Sequence, residues 1–309
     1  MQVNSIEKVE KALEECDVRK GTRILVGFSG GPDSTTLLHI LKDMEDAWDF
    51  KIFAAYLDHG IRPGKEIEKE IAYIRKATTE LHIELFIGRI ARGELSRIAS
   101  IDSRSIEDTA REKRYLFLDS VAEKIHADYI AVGHTQDDHL ETMIMRFFQG
   151  SDITGLKGIP LRRATVIRPL FYWSKEDVMK FLTGRNIRYM VDSTNLQSSY
   201  LRNKIRINLI PVIQNIFPGF RKSLLRFSDK SKLLNDYFKN ELNEKLKWEN
   251  VPSGFRISGE EFLQAHGIIR LFSLYRIINR LGKTGKGVKK GRIPYQFLST
   301  VLNENHIRE

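Results

Sequence analysis

The chain has 309 residues, 41% hydrophobic and 29% charged, a balance that suits a globular protein and excludes a disordered one. Its single cysteine, Cys16, excludes an intramolecular disulfide and any zinc or iron–sulfur site built on paired cysteines within one chain. The formal charge is +10, and residues 215–309 hold 18 Lys and Arg against 9 Asp and Glu, so the last third carries nearly all the excess, which suits a nucleic-acid partner or a solubilising lysine-rich surface.

The N-terminus shows no basic start followed by an apolar run, and no stretch reaches the ~18 apolar residues of a membrane span; a reducing cytoplasm and no membrane are expected. A helix is expected over 5–20, with Ile6, Val9 and Leu13 at helical spacing and Cys16 as a core thiol. Residues 24–28 form a short apolar run that suits a strand buried on both faces. A helix follows from Ser34, with Leu37, Leu38 and Leu41 facing inward. Strands expected at 51–57, 82–87 and 129–132 alternate with helices at 66–80, 105–126 and 136–148. That alternation implies a parallel sheet covered on both faces, a Rossmann-like α/β arrangement.

After Gly150 the pattern changes. Residues 150–170 read as loops with one short strand, 165–167, followed by a helix over 174–184 and a turn at 193–195. A helix over 200–213 carries Leu201, Ile205 and Leu209 at four-residue spacing, with Pro211 and Pro218 punctuating its end. From 220 the chain reads as mainly helical, with a flexible loop at 283–287. The expected division is a catalytic domain over 1–215 and a basic, mainly helical domain over 216–309.

SGGPDS at 29–34 lies between a predicted strand and a predicted helix. Gly30 and Gly31 let the backbone bend sharply and approach a ligand, and the acidic Asp33 sits inside the loop after Pro32. Successive N–H groups and the helix N-terminus make an anion cradle, to which Ser29 and Ser34 add hydroxyls. The string is not GxxxxGK[ST], since no lysine follows the glycines. Asp33 beside phosphates makes sense if it helps hold Mg²⁺ or lies toward a departing pyrophosphate. This string resembles the SGGxDS loop of the N-type ATP pyrophosphatases, which implies ATP as substrate, cleavage between its α and β phosphates, and a sheet of the adenine nucleotide α-hydrolase type.

Further strings follow in order: LDHGIR at 57–62, SIEDTAREKRY at 105–115, GHTQDDHLET at 133–142, RPLFYWSKEDV at 168–178, VDSTN at 191–195 and YLRNKIRINLIP at 200–211. Asp58, His59, Gly133 and His134 all follow predicted strands, where ligands of open parallel sheets bind. Asp137 and Glu141 share a helix face, with Asp138 beside them. The three acids read equally as caps favouring the helix dipole. Arg111 and Arg114, three apart, suit a phosphate or a solvated edge. His59 and His134 suit either a hydrogen bond to ligand or a structural role. Arg202 and Arg206 suit an RNA backbone or the exposed side of an amphipathic helix, and Asn203 suits local structure.

Taken together, the strings over 25–215 resemble the tRNA(Ile)-lysidine synthetases. The resemblance implies ligation of free L-lysine to C2 of the wobble cytidine of tRNA(Ile) with a CAU anticodon, by way of an adenylated cytidine. ATP and Mg²⁺ are the implied cofactors. Asp33, Arg111, Arg114, Asp137, Asp138 and Glu141 are the implied catalytic groups. Residues 29–34 with Asp58, His59, Gly133 and His134 would hold ATP, and Asp33 the metal. Arg202, Asn203, Arg206, Lys289, Lys290 and Arg292 would meet RNA, and a homodimer is left open. Two departures stand out: Thr135 occupies a place where the family often has a second histidine, and a chain stopping at Glu309 resembles the short form. The rival readings are tRNA thiolation, which generally relies on several cysteines, amidation of a small metabolite, which needs no basic last third, and a non-catalytic RNA binder.

Overall fold

The computed structural model describes residues 5–61, 64–190, 201–252 and 254–283. Arg62, the strings at 191–200, the loop at 284–287 and Lys289, Lys290 and Arg292 lie outside the described residues. The chain divides into two compact units: 1–150 with 158–224, and 151–157 with 225–309.

The first unit is built on a six-stranded sheet. In chain order it comprises α1 (Ser5–Glu15), β1 (Arg23–Gly27), α2 (Pro32–Asp43), α3 (Glu45–Trp48), β2 (Lys51–Asp58), α4 (Gly64–Glu80) and β3 (Glu84–Arg89). Then come α5 (Glu94–Ile101), α6 (Ile106–Lys124), β4 (Tyr129–Ala131), α7 (Gln136–Phe148), β5 (Arg162–Arg163), β6 (Val166–Ile167) and α8 (Lys175–Gly184). Strand order is β3-β2-β1-β4-β6-β5; every pairing is parallel except β5 with β6.

The short apolar runs are strands because alternate side chains enter two cores. Ile24, Val26, Ile52, Ala54, Tyr56, Ala131 and Ile167 pack with α1, α2, α4 and α8 on one face. Leu25, Phe53, Ala55, Ile130, Val132 and Val166 pack with Leu118, Val121 and Ala122 of α6 on the other. With both faces covered, a strand shows no polar alternation. Cys16 is buried, as expected, and burial pushes its thiol up to about 11.

Several expectations shift. The first helix ends at Glu15, because Asp17 turns with φ +58. His82, at φ +53, delays β3 to Glu84. Neither α5 nor β5 was legible as an element. The helix expected at 200–213 is α9 (Leu201–Lys204), a π turn (Ile205–Leu209) and α10 (Ile210–Ile216). Pro211 has no N–H, and its ring collides with a carbonyl four residues back in a regular helix. The preceding turn widens instead, so that Ile210 N–H donates to Ile205 O.

α11 (Phe220–Lys245) begins in the first unit and continues into the second. A hairpin of β7 (Glu249–Val251) and β8 (Gly254–Arg256) follows, then α12 (Gly259–Gln264) and α13 (Gly267–Lys283). The core of this unit joins Leu242, Leu246, Phe262, Ile269 and Phe272. The region is mainly helical, as expected, and the short hairpin is the addition to that reading. Among the described residues no helix is long and apolar enough to cross a membrane.

Candidate active site

From β1 the sheet grows outward to β2 and β3, then resumes on the other side of β1 with β4. Ligands of open parallel sheets bind outside the carboxyl ends at such a reversal. The segments after β1 and β4 border it.

The first segment is braced by its own side chains. Gly30 has φ +76, a conformation glycine adopts at little cost. Ser34 Oγ donates to Gly31 O at 3.1 Å and accepts the Ser29 N–H at 3.2 Å; Thr35 Oγ1 donates to Gly30 O at 3.1 Å. Ser29 Oγ lies 3.1 Å from Ser34 Oγ. Gly31 precedes α2, Pro32 occupies its first turn, and no side chain caps the helix. Its first N–H groups are therefore available to an anion.

The second segment presses against the first. A Cβ on Gly133 would lie 3.0 Å from Asp33 C and 3.1 Å from Ser34 N, so only glycine passes without displacing the loop. Thr135 and Asp138 then form a capping box on α7: the Asp138 carboxylate accepts from Thr135 N–H at 2.8 Å and from its hydroxyl at 2.9 Å. Thr135, where the family often has histidine, is thus a cap.

Lys175 joins the two segments. Its ammonium donates to Asp33 Oδ2 and lies 3.7 Å from Asp138 Oδ2, while its backbone N–H donates to Asp137 Oδ2 at 2.7 Å. Ser174 caps α8 in a second capping box with Asp177. Burial raises the pKa of Asp33; the Lys175 cation opposes this and the nearby Asp138 reinforces it. Asp33 Oδ1 is buried without a partner among the described residues. For Asp138 burial also raises, but Lys175, Arg202, His134 and the Thr135 N–H outweigh it, and its carboxyl is held well below the usual range.

The remaining acids meet arginines. Arg206 Nε donates to Glu141 Oε1 at 2.6 Å and Arg202 Nε to Glu141 Oε2 at 2.9 Å. Arg202 Nη2 also lies 3.3 Å from Asp138 Oδ1, and Arg221 Nη1 donates to Asp137 Oδ1 at 2.6 Å. Although burial alone would lower it, the Glu141 hydrogen bond and charge leave the Arg206 pKa raised. Arg202 and Arg206 therefore turn onto the acids rather than along an outer surface; Asn203 lies beside them on α9.

His134 follows β4. Burial lowers its pKa; the Asp138 carboxylate opposes this, while Arg168 and Arg111 add to it, so its ring is neutral at pH 7. Its Nδ1 is buried without a partner among the described residues. Arg111 and Arg114 place their guanidinium carbons 5.5 and 5.8 Å from the Tyr115 ring centre, on the sheet face that carries α6. The Asp58 carboxylate accepts from Gly60 N–H at 2.9 Å and shapes the turn after β2, at which His59 sits.

The string at 168–178 contained Arg168 and Lys175 without assigning them roles, and Arg221 lay in none of the strings. A cation at the first position of a helix opposes the helix dipole. Lys175 in α8 and Arg221 at the start of α11 both do so, a signal that each answers an acid elsewhere.

The profile of the PP-loop domain matches residues 1–213. The chain belongs to the PP-loop family. Its fold is the adenine nucleotide α-hydrolase arrangement, a mostly parallel sheet flanked by helices and followed by a largely helical C-terminal region. This PP-loop chain is 41% identical over 282 residues to the tRNA(Ile)-lysidine synthase of Borreliella afzelii, covering 90% of this chain and 62% of that relative. It is 34% identical over 267 residues to the tRNA(Ile)-lysidine synthase of Thermosipho africanus, covering 86% and 61%. It therefore spans less than two thirds of the length of these curated relatives. Among solved structures, the U34-tRNA thiolase NcsA of Methanococcus maripaludis superposes with a TM-score of 0.59 at 20% identity, over 73% of this chain and 77% of that one. At that identity the likeness concerns the fold alone.

Proposed function

We propose that this PP-loop chain uses ATP to ligate L-lysine to C2 of the wobble cytidine of tRNA(Ile), releasing pyrophosphate and AMP. The observation that carries the reading is the junction of the phosphate loop with α7: Gly133 abuts the Asp33–Ser34 backbone, and one ammonium joins Asp33 to Asp138. The identity to the lysidine synthases supports the substrate assignment.

The loop amides and the N-terminus of α2 hold the triphosphate. The cytidine C2 oxygen attacks the α-phosphorus, and the bond to the bridging oxygen breaks as pyrophosphate leaves. The neutral amine of lysine then attacks C2, and AMP leaves with the oxygen. Neutral His134, its Nδ1 free, suits a hydrogen bond to the nucleotide or the base.

A lysine amine has an ordinary pKa of ~10.4 and must shed a proton before attack. Acids at the head of α7 hold the incoming ammonium; the Lys175 ammonium already lies between two carboxylates there. Mg²⁺ fits Asp33: protein sites for this ion use one or two carboxylates together with substrate phosphates, and Asp33 offers a partnerless oxygen. When bound it would supply charge neutralisation.

Labelled ATP, lysine and tRNA separate the possibilities. AMP release that requires both lysine and tRNA, with lysidine found at the wobble position by mass analysis, is expected. Release with a small metabolite and no RNA, or ADP in place of pyrophosphate, overturns the reading. Asp33→Ala should abolish AMP formation while tRNA binding survives.

A further inference from the structure

Four guanidinium groups gather on the α6 face of the first unit. The guanidinium carbons of Arg111, Arg114 and Arg163 lie 5.5, 5.8 and 5.4 Å from the centre of the Tyr115 ring. Arg168 follows β6 and is 2% exposed. Its Nη1 donates to Pro160 O at 2.7 Å, and its Nε is buried without a partner among the described residues. Among the described residues none of the four forms an ion pair with a carboxylate. This contrasts with the head of α7, where each acid meets a cation.

Arg168 is buried and Arg114 half-buried, while Arg111 and Arg163 are exposed; a buried cation without a counter-ion is unfavourable unless an anion completes it. Burial, the largest influence, and the like charge of Arg111 hold the pKa of both Arg114 and Arg168 below the ordinary guanidinium value. A single aromatic ring attracts cations only weakly and cannot balance three of them. Planar guanidinium forks match phosphate oxygens. The phosphate loop leads into α2, which packs on the opposite face of the sheet, so the ATP phosphates already have a separate cradle.

The geometry points to a second anion site, in which Arg163 and Arg168, with Arg111 and Arg114, bind a backbone phosphate of the RNA beside the target base. This rests on the function proposed above and deepens it. The basic charge of the C-terminal unit is then not the whole RNA footprint. A phosphate held beside His134 orients the target nucleotide from the sheet face opposite α2.

The test measures binding of a fluorescein-labelled anticodon stem-loop RNA by anisotropy over a series of salt concentrations, and binding of ATP and of inorganic pyrophosphate in parallel. Arg163→Ala and Arg168→Gln should each weaken RNA binding about tenfold and lower the slope of log affinity against log salt by about 1. ATP and pyrophosphate affinities should stay within about twofold, since backbone-phosphate contacts add to RNA affinity alone. Arg163 is exposed, so Arg163→Ala and Arg163→Glu keep the test decisive if Arg168→Gln does not fold. Unchanged RNA affinity and slope in both Arg163 variants overturns the site. Loss of ATP or pyrophosphate binding with RNA binding retained also overturns it and assigns the cluster to the nucleotide. Wild-type AMP release dependent on RNA and lysine tests the parent reading separately, with no variant involved.

Discussion

Lys175 donates to Asp33 and stands 3.7 Å from Asp138, so a single ammonium links the start of α2 to the start of α7. The link lies at the reversal of the sheet, where the proposed adenylation takes place. It also explains a lysine in the first turn of α8, where the helix dipole alone would disfavour it.

Lys175→Met removes the cation that links Asp33 to Asp138 and leaves Asp138 only its arginine partners. Lys175 and Asp33 are partly exposed, so the stability loss should be about 1–3 kcal/mol, less than for a fully buried pair. AMP formation should fall at least about tenfold, the reach of a single misplaced charge in a phosphoryl-transfer site. Urea unfolding and labelled-ATP turnover measure the two. In a double-mutant cycle with Asp33→Asn the coupling should exceed about 0.5 kcal/mol. Strict additivity would show that the contact carries no energy.

Glu141 is 1% exposed and holds two guanidinium groups. Glu141→Gln should destabilise the first unit by about 1–3 kcal/mol, less than for a fully buried pair, because the two guanidinium groups are partly exposed and keep Asp138 as a partner. Arg202→Ala should lower Tm in the same direction. If Arg202 instead acted mainly on RNA, its loss would reduce the salt dependence of RNA binding and leave Tm unchanged.

Gly133→Ala places a methyl 3.0–3.1 Å from the Asp33 and Ser34 backbone. The loop must shift by a few tenths of an ångström. Overpacking of this kind costs about 1–3 kcal/mol. ATP affinity should weaken about tenfold while tRNA affinity holds; equilibrium dialysis checks it. Unaltered ATP binding would place the nucleotide away from this junction.

His134 gives the fold an acid sensitivity of calculable sign. Its folded pKa lies below its ordinary value of 6.5. Below pH 6.5 the unfolded chain takes up a proton that the folded ring does not, so stability falls as pH drops. Between pH 6.5 and 5 the loss is at most about 2 kcal/mol. Asp138, whose folded pKa is depressed, adds a second loss only below 3.8, its ordinary value. Tm measured from pH 7 to 5 should decline more steeply for the wild type than for His134→Asn. Parallel curves would remove His134 from the account.

Much of the architecture was legible before any tertiary contact was known. The runs at 24–28, 51–57 and 129–132 announce buried strands, and the glycines and serines of 29–34 announce an anion cradle between strand and helix. Elements that lack such local signatures escaped notice. β5 and the β7–β8 hairpin consist of two and three residues per strand, too short for any periodicity. The π turn before Pro211 was legible only as a helix with a proline near its end.

The sequence by itself determined the alternation of strand and helix, the phosphate loop and the acids that open α7, because each rests on residues adjacent in the chain. The partners of those acids were decided by the tertiary structure alone. Lys175 lies 142 positions from Asp33, Arg206 65 from Glu141 and Arg221 84 from Asp137. Charge attraction acts through space and carries no mark of sequence separation, so only the placement of α8, the π turn and the start of α11 relative to α2 and α7 selects which cation neutralises which carboxylate.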